Sequence, residues 1–175
     1  MIYGYHLTIC LLLIIFQTTL AAIGGHVYLY DLLAPFVVYL GVHRLPREAI
    51  PILVLAGLAM DGISGGVFGV HLSAYLWMYA GVRRAIQFLH VGNFILLPVL
   101  VAGGVFFQGV VVAFSAVVLA AAPWPVESMF PVISKQVLWG VLTGPFLMLL
   151  FIRGQAMVDR AGKSYLGKKD PLRTS

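Results

Sequence analysis

Asp61 is the residue whose setting raises the sharpest chemical question. It stands in Met60-Asp61-Gly62-Ile63-Ser64-Gly65-Gly66-Val67-Phe68-Gly69, where one carboxylate and four glycines interrupt an apolar run. An ionised aspartate near the centre of a bilayer costs roughly 2.5–3.5 kcal/mol, so it must face protein or water and have a partner. The sequence offers one. If the helix carrying Asp61 breaks over Gly62 to Gly69, a new helix starting at Val70 aims its free N–H groups and positive dipole end into the break, where a carboxylate is stabilised. Ser64, His71 and Ser73 are donors nearby in sequence. In the competing geometry the helix continues to Gly69, and Asp61, Gly65 and Gly69 fall at i, i+4 and i+8 on one face, a groove for another helix. A break near Ser64 to Gly66, forming a dent open to the outer side, is the expected arrangement.

Catalytic constellations are poorly supported. Asp61-Gly62 is similar to the opening of the membrane phosphatidyltransferase motif, but those enzymes need further aspartates downstream to hold a metal, and the next acidic residue here is Glu127. Gly162-Lys163-Ser164 imitates the end of a P-loop, yet Met157 stands where its earlier glycine belongs and no strand precedes it. His6, His26, His43, His71 and His90 lack the i, i+4 spacing of a helical metal pair, and only His26 and His71 are expected near one face. The single cysteine, Cys10, excludes an intrachain disulfide and any multi-cysteine metal site. No enzyme activity, metal or cofactor is expected.

The elements that must position Asp61 follow from composition. The 175 residues are 61% hydrophobic and 10% charged, against roughly 25% charged in an average soluble domain. Mean hydropathy is +1.00. Several apolar runs reach the roughly 17–25 residues that a bilayer core asks of a helix, and no strand-like alternation recurs as a barrel would require. The expected fold is an all-α membrane protein of six spans: about Leu7–Gly24; within His26–Val42, enclosing Asp31 and Pro35; about Ala49 into the Asp61 motif, with Pro51 in its first turn; about Val70–Val82, stopped by Arg83-Arg84; about Asn93–Ala121; and about Val132–Ile152. The fifth, at roughly 43 Å, must tilt, project or kink, and Pro98 with Gly103-Gly104 marks the expected kink. Residues 1–152 form the transmembrane domain and 153–175 a basic cytoplasmic tail.

Charge placement orients these spans. With the N-terminus inside, Arg44, Arg47, Arg83, Arg84, Arg153, Arg160, Lys163, Lys168, Lys169 and Arg173 lie on the inner side and Lys135 alone lies outside. That is the positive-inside pattern, and adding or removing one span scrambles it. The net charge of +5 therefore reports topology rather than nucleic-acid binding, with attraction of the tail to anionic lipid as a second effect. Small-residue pairs four apart, Gly62/Gly66, Gly65/Gly69 and Gly140/Gly144, have the spacing that lets helix backbones approach closely. Gly144-Pro145 equally suits a kink.

The order of these features resembles the MreD family, the small membrane subunits of the bacterial rod-shape machinery. The likeness rests on Asp61, Gly65 and Gly69 as DxxxGxxxG, on the following Gly-Val-His-Leu-Ser-Ala-Tyr-Leu (69–76) and arginines, and on Asp31-Leu-Leu with Tyr39 in the second span. It covers nearly the whole chain, while Pro35 and the longer basic tail depart from it. The resemblance implies a non-enzymatic scaffold in the inner membrane that binds MreC, a single-span protein with a large external domain. The assembly also contains actin-like MreB, a RodA-type glycosyltransferase and a class B penicillin-binding transpeptidase, and makes side-wall peptidoglycan. Membrane lipids and a second copy of the chain are further partners to consider. In this reading Asp61, Ser64, Gly65, Gly69, His71, Asp31 and Tyr39 shape a partner-binding cleft, or else Asp61 and its glycines only hold two helices together within the subunit. The family also looks distantly like the six-span substrate-binding subunits of energy-coupling-factor vitamin transporters, so a vitamin-binding subunit is the alternative function. The first helix fits that alternative poorly, because Leu11 to Phe16 is mostly large aliphatics where a docking surface needs small residues.

Overall fold

A computed structural model describes residues 2–23, 31–88, 96–118 and 126–167. It contains six helices in chain order: α1 (Ile2–Ile23), α2 (Leu33–His43), α3 (Pro46–Ser64), α4 (Val70–Phe88), α5 (Leu96–Val118) and α6 (Val126–Gly167). No strand occurs among the described residues. Leu97–Val118 and Phe130–Val158 are long and apolar enough to cross a membrane, and Gly4–Leu20 and Leu33–His43 are shorter apolar helices.

Several boundaries differ from the sequence expectation, each for a local reason. Asp31 is not inside the second helix but just ahead of it: its carbonyl accepts the Ala34 N–H at 3.0 Å and its Oδ1 the Leu33 N–H at 2.9 Å. Pro35 then falls in the first turn, where a missing N–H leaves no intrahelical bond unmade. Helix α3 begins three residues before Ala49, with Pro46 at the position that suits a preset φ, so Pro51 lies inside it. Helix α4 continues through Arg83-Arg84 to Phe88, and α6 continues past Ile152 to Gly167, a length of roughly 63 Å. Arginine and lysine are good helix formers, so the end of an apolar run does not end the backbone hydrogen bonding. Helix α5 runs unbroken across Gly103 and Gly104. Pro123-Trp124-Pro125, His26 and His90 lie outside the described residues.

Helix α2 is the centre of the bundle. It touches each of the other five helices, and every residue from Leu33 to Gly41 is buried. A helix apolar on all sides belongs in such a position. Contacts along its length show α2, α4 and α6 running one way and α1, α3 and α5 the other: Asp31 and Gly41 meet Tyr75 and Val82 of α4, whereas Asp31 and Val38 meet Gln108 and the Gly104 position of α5. Small residues set the closest approaches. A Cβ added at Gly57 would lie 2.5 Å from the Leu72 Cα, drawing α3 and α4 together. Gly140 and Gly144 receive Val105 and Val101 of α5, with an added Cβ 2.9 and 2.5 Å from their methyl groups. By contrast a Cβ at Gly62 meets nothing within 4 Å, so Gly62 and Gly66 are not a packing seam within the chain.

Candidate functional site

The chain breaks where the Asp61 motif places its glycines. Helix α3 stops at Ser64, Gly65 takes the left-handed conformation at φ 63°, and Gly69 does so again at φ 94° just before α4 begins. Side chains other than glycine rarely adopt these values without strain. Across this turn the Asp61 carboxylate reaches the start of α4. Oδ2 accepts the Gly69 N–H at 2.9 Å and the Leu72 N–H at 3.3 Å, while Oδ1 accepts the His71 N–H at 2.8 Å and lies 3.0 Å from the His71 ring Nδ1. Gly69 has no side chain to cap its own helix; a carboxylate eight residues earlier supplies the cap instead and meets the positive end of the dipole.

Asp61 is 3% exposed, so this carboxylate is consumed by the helix junction rather than presented to a cleft. Ser64 hydrogen-bonds the Asp61 backbone carbonyl at 3.3 Å, not the carboxylate. The Ser73 hydroxyl has no bond to Asp61 either; the Ser73 N–H closes the first turn of α4 on the Gly69 carbonyl at 2.9 Å. What the junction exposes is apolar: Ile63 and Phe68 are 53% and 70% exposed beside Gly62, Gly65 and Gly66.

A second carboxylate, half-buried, lies at the same end of the bundle. Asp31 Oδ2 accepts hydrogen bonds from the Tyr75 hydroxyl of α4 and from Gln108 Nε2 of α5. Gln17 of α1 accepts the neighbouring Leu32 N–H at 3.0 Å. Helices α1, α4 and α5 are thus tied around the entry to α2. His71 and Tyr75, four apart on α4, serve the two aspartates in turn, their rings meeting edge to face with centroids 6.2 Å apart. Hydrogen bonds to an ionised acceptor are the stronger kind, and leaving a buried one unpaired is costly.

Tyr39 does not join these groups. It sits at the opposite end of α2, stacked between His6 and His43, and its hydroxyl donates to Gln155 of α6. The arginine turn lies at this end as well. The Arg44 carbonyl accepts from the Tyr79 hydroxyl at 3.1 Å and from Arg83 at 3.5 Å, and the Arg44 side chain pairs with Glu48 at 3.4 Å. Asp31 and Asp61 therefore lie at the end of the bundle opposite the arginine turn, where Glu48 also sits.

The structure brings Asp61, Gly65, Gly69 and His71 into one unit, puts Asp31 into a neighbouring one, and leaves Tyr39 apart. Sequence reasoning passed over Tyr75, Gln108 and Gln17. Gln108 had a signal, since it is an amide in the middle of the apolar run Leu96–Val118. Among the described residues no group of three or more metal-ligating side chains converges. Compared with protein-family models, curated proteins and solved structures, the chain matches none.

Proposed function

We propose that the chain is a non-catalytic scaffold of the bacterial inner membrane, crossing it six times with both termini cytoplasmic. It acts in a rod-shape complex by binding an MreC-like single-span protein and through it side-wall peptidoglycan synthesis. The observation that carries this reading is the Asp61 junction: Asp61, Gly65, Gly69 and the Gly69–Leu72 backbone, which hold the resemblance to the MreD family, work as one structural unit. The alternating helix directions and the separation of Asp31 and Asp61 from the arginine turn support the six-span arrangement.

The partner surface differs from a carboxylate-lined cleft. It is the outward side of the junction, where Ile63 and Phe68 stand exposed beside Gly62 and Gly66. Close packing against small residues, with hydrogen bonds averaging about 0.6 kcal/mol each, drives such association in lipid.

The test is affinity purification of the tagged chain from native membranes with identification of stoichiometric partners. Gly62→Leu is the informative variant, since a Cβ at this exposed position meets nothing within 4 Å. Loss of the MreC-like protein from that purification, with unchanged thermal stability, is the expected result. Recovery of a stoichiometric vitamin instead, or undiminished partner recovery from Gly62→Leu, would overturn the proposal.

A further inference from the structure

Arg83 and Arg84 are adjacent in sequence but differently employed. Arg83 is turned to the Arg44 carbonyl, whereas Arg84 is exposed and has no acidic partner among the described residues. Arg84 stands at one end of a groove of about 680 Å3 between α4 and α5, within the roughly 300–1,000 Å3 typical of ligand sites. Gly81 and Trp77 of α4 and Val99, Gly103 and Phe107 of α5 are among the residues that line the remainder, and Arg84 is the one charged residue in the lining.

The shape of the groove comes from two of its three glycines. A Cβ added at Gly81 or Gly103 would meet nothing within 4 Å, so a trough lies open between the helices, with Trp77, 69% exposed, forming one wall. From Arg84 to Trp77 the trough runs roughly 10 Å along α4. An apolar channel of this form, ending in one unpaired guanidinium, complements a molecule with a hydrocarbon chain and a net negative phosphate head.

We propose that this groove is a binding site for an anionic phospholipid, with one acyl chain between α4 and α5 and the phosphate on Arg84. Arginine suits that role because its planar fork binds phosphate oxygens in pairs. The site rests on the chain lying in a membrane and not on the identity of its protein partner. It also gives the adjacent arginines separate tasks: one closes the fold, and the other holds lipid.

The test uses the full chain in bilayer discs of phosphatidylcholine doped with phosphatidylglycerol of identical acyl chains, with retained lipid counted by native mass spectrometry. Phosphatidylglycerol should be retained about fivefold over phosphatidylcholine, the factor expected from one basic residue near an anionic headgroup. Arg84→Gln should lower the ratio about fivefold, leaving only the attraction of the basic tail. Gly103→Leu, which fills the trough without touching the fold, should lower retention of both lipids. Equal retention of the two lipids by the parent chain, or an undiminished preference in Arg84→Gln, would overturn the site. So would a second copy of the chain occupying the groove in place of lipid, seen as a species of twice the mass. A chain that fails to enter the discs would overturn the membrane reading itself, and the site with it.

Discussion

Replacing Asp61 by asparagine removes a charge and one acceptor while keeping nearly the same shape. If the amide oxygen takes the Oδ2 position, the bonds from Gly69 and Leu72 survive, but the NH2 group then faces the His71 backbone N–H, donor against donor. The reverse orientation orphans two backbone N–H groups instead, so the first is preferred. It loses one charge-assisted hydrogen bond, about 1.5–3 kcal/mol, and the negative charge at a partly buried helix N-terminus, up to about 2 kcal/mol. The expected cost is about 3 kcal/mol, or roughly 6–12 °C in Tm for a chain of this size. Tryptophan fluorescence during a thermal scan of the purified chain, at fixed detergent and scan rate, measures it. Asp61→Leu, which strips every bond from the cap, should fall further. A Tm within about 2 °C of the parent for Asp61→Asn would refute the idea that this carboxylate clamps α3 to α4.

Tyr75→Phe removes one of the two side-chain donors to Asp31 and should cost about 1–2 kcal/mol; in a double-mutant cycle with Gln108→Leu the losses should be non-additive, because both donors serve one oxygen. Gly57→Ala drives a methyl group against the Leu72 backbone and should destabilise by about 1–3 kcal/mol, whereas Gly62→Ala, in open space on the same helix, should be neutral or slightly stabilising; equal effects in unfolding scans would contradict the packing described. Reporter fusions after Gly92 and after Glu127 should read cytoplasmic and external respectively, and an external Gly92 would refute the six-span orientation.

The break at Ser64–Gly65 and the alliance of Asp61 with α4 were legible because glycine, carboxylate and helix start lie within twelve residues of one another. Local chemistry suffices at that range: a left-handed position favours glycine, and an anion seeks free N–H groups. The helix ends were less legible. Apolar runs mark where burial ends, and α4 and α6 pass beyond them because Arg83, Arg84, Arg153 and Arg160 sustain a helix as readily as leucine does. Asp31 shows the same limit in reverse. Its apolar surroundings placed it within a helix, yet its side chain takes the Leu33 N–H and its carbonyl the Ala34 N–H, so the helix begins after it.

Composition and charge pattern determined by themselves that the chain is helical and suited to a membrane, and that one carboxylate needs a helix terminus. These properties add up residue by residue, so they can be read without knowing which helices meet. Only the tertiary structure decided that Asp31 belongs with Tyr75 and Gln108, residues 44 and 77 positions away, while Tyr39 belongs at the far end of the same helix with Gln155. It also decided which glycines carry packing: Gly57, Gly140 and Gly144 press against a neighbouring helix, and Gly62 faces open space. Spacing is the same for a glycine that meets a neighbour and for one that does not; the difference lies in the helix opposite.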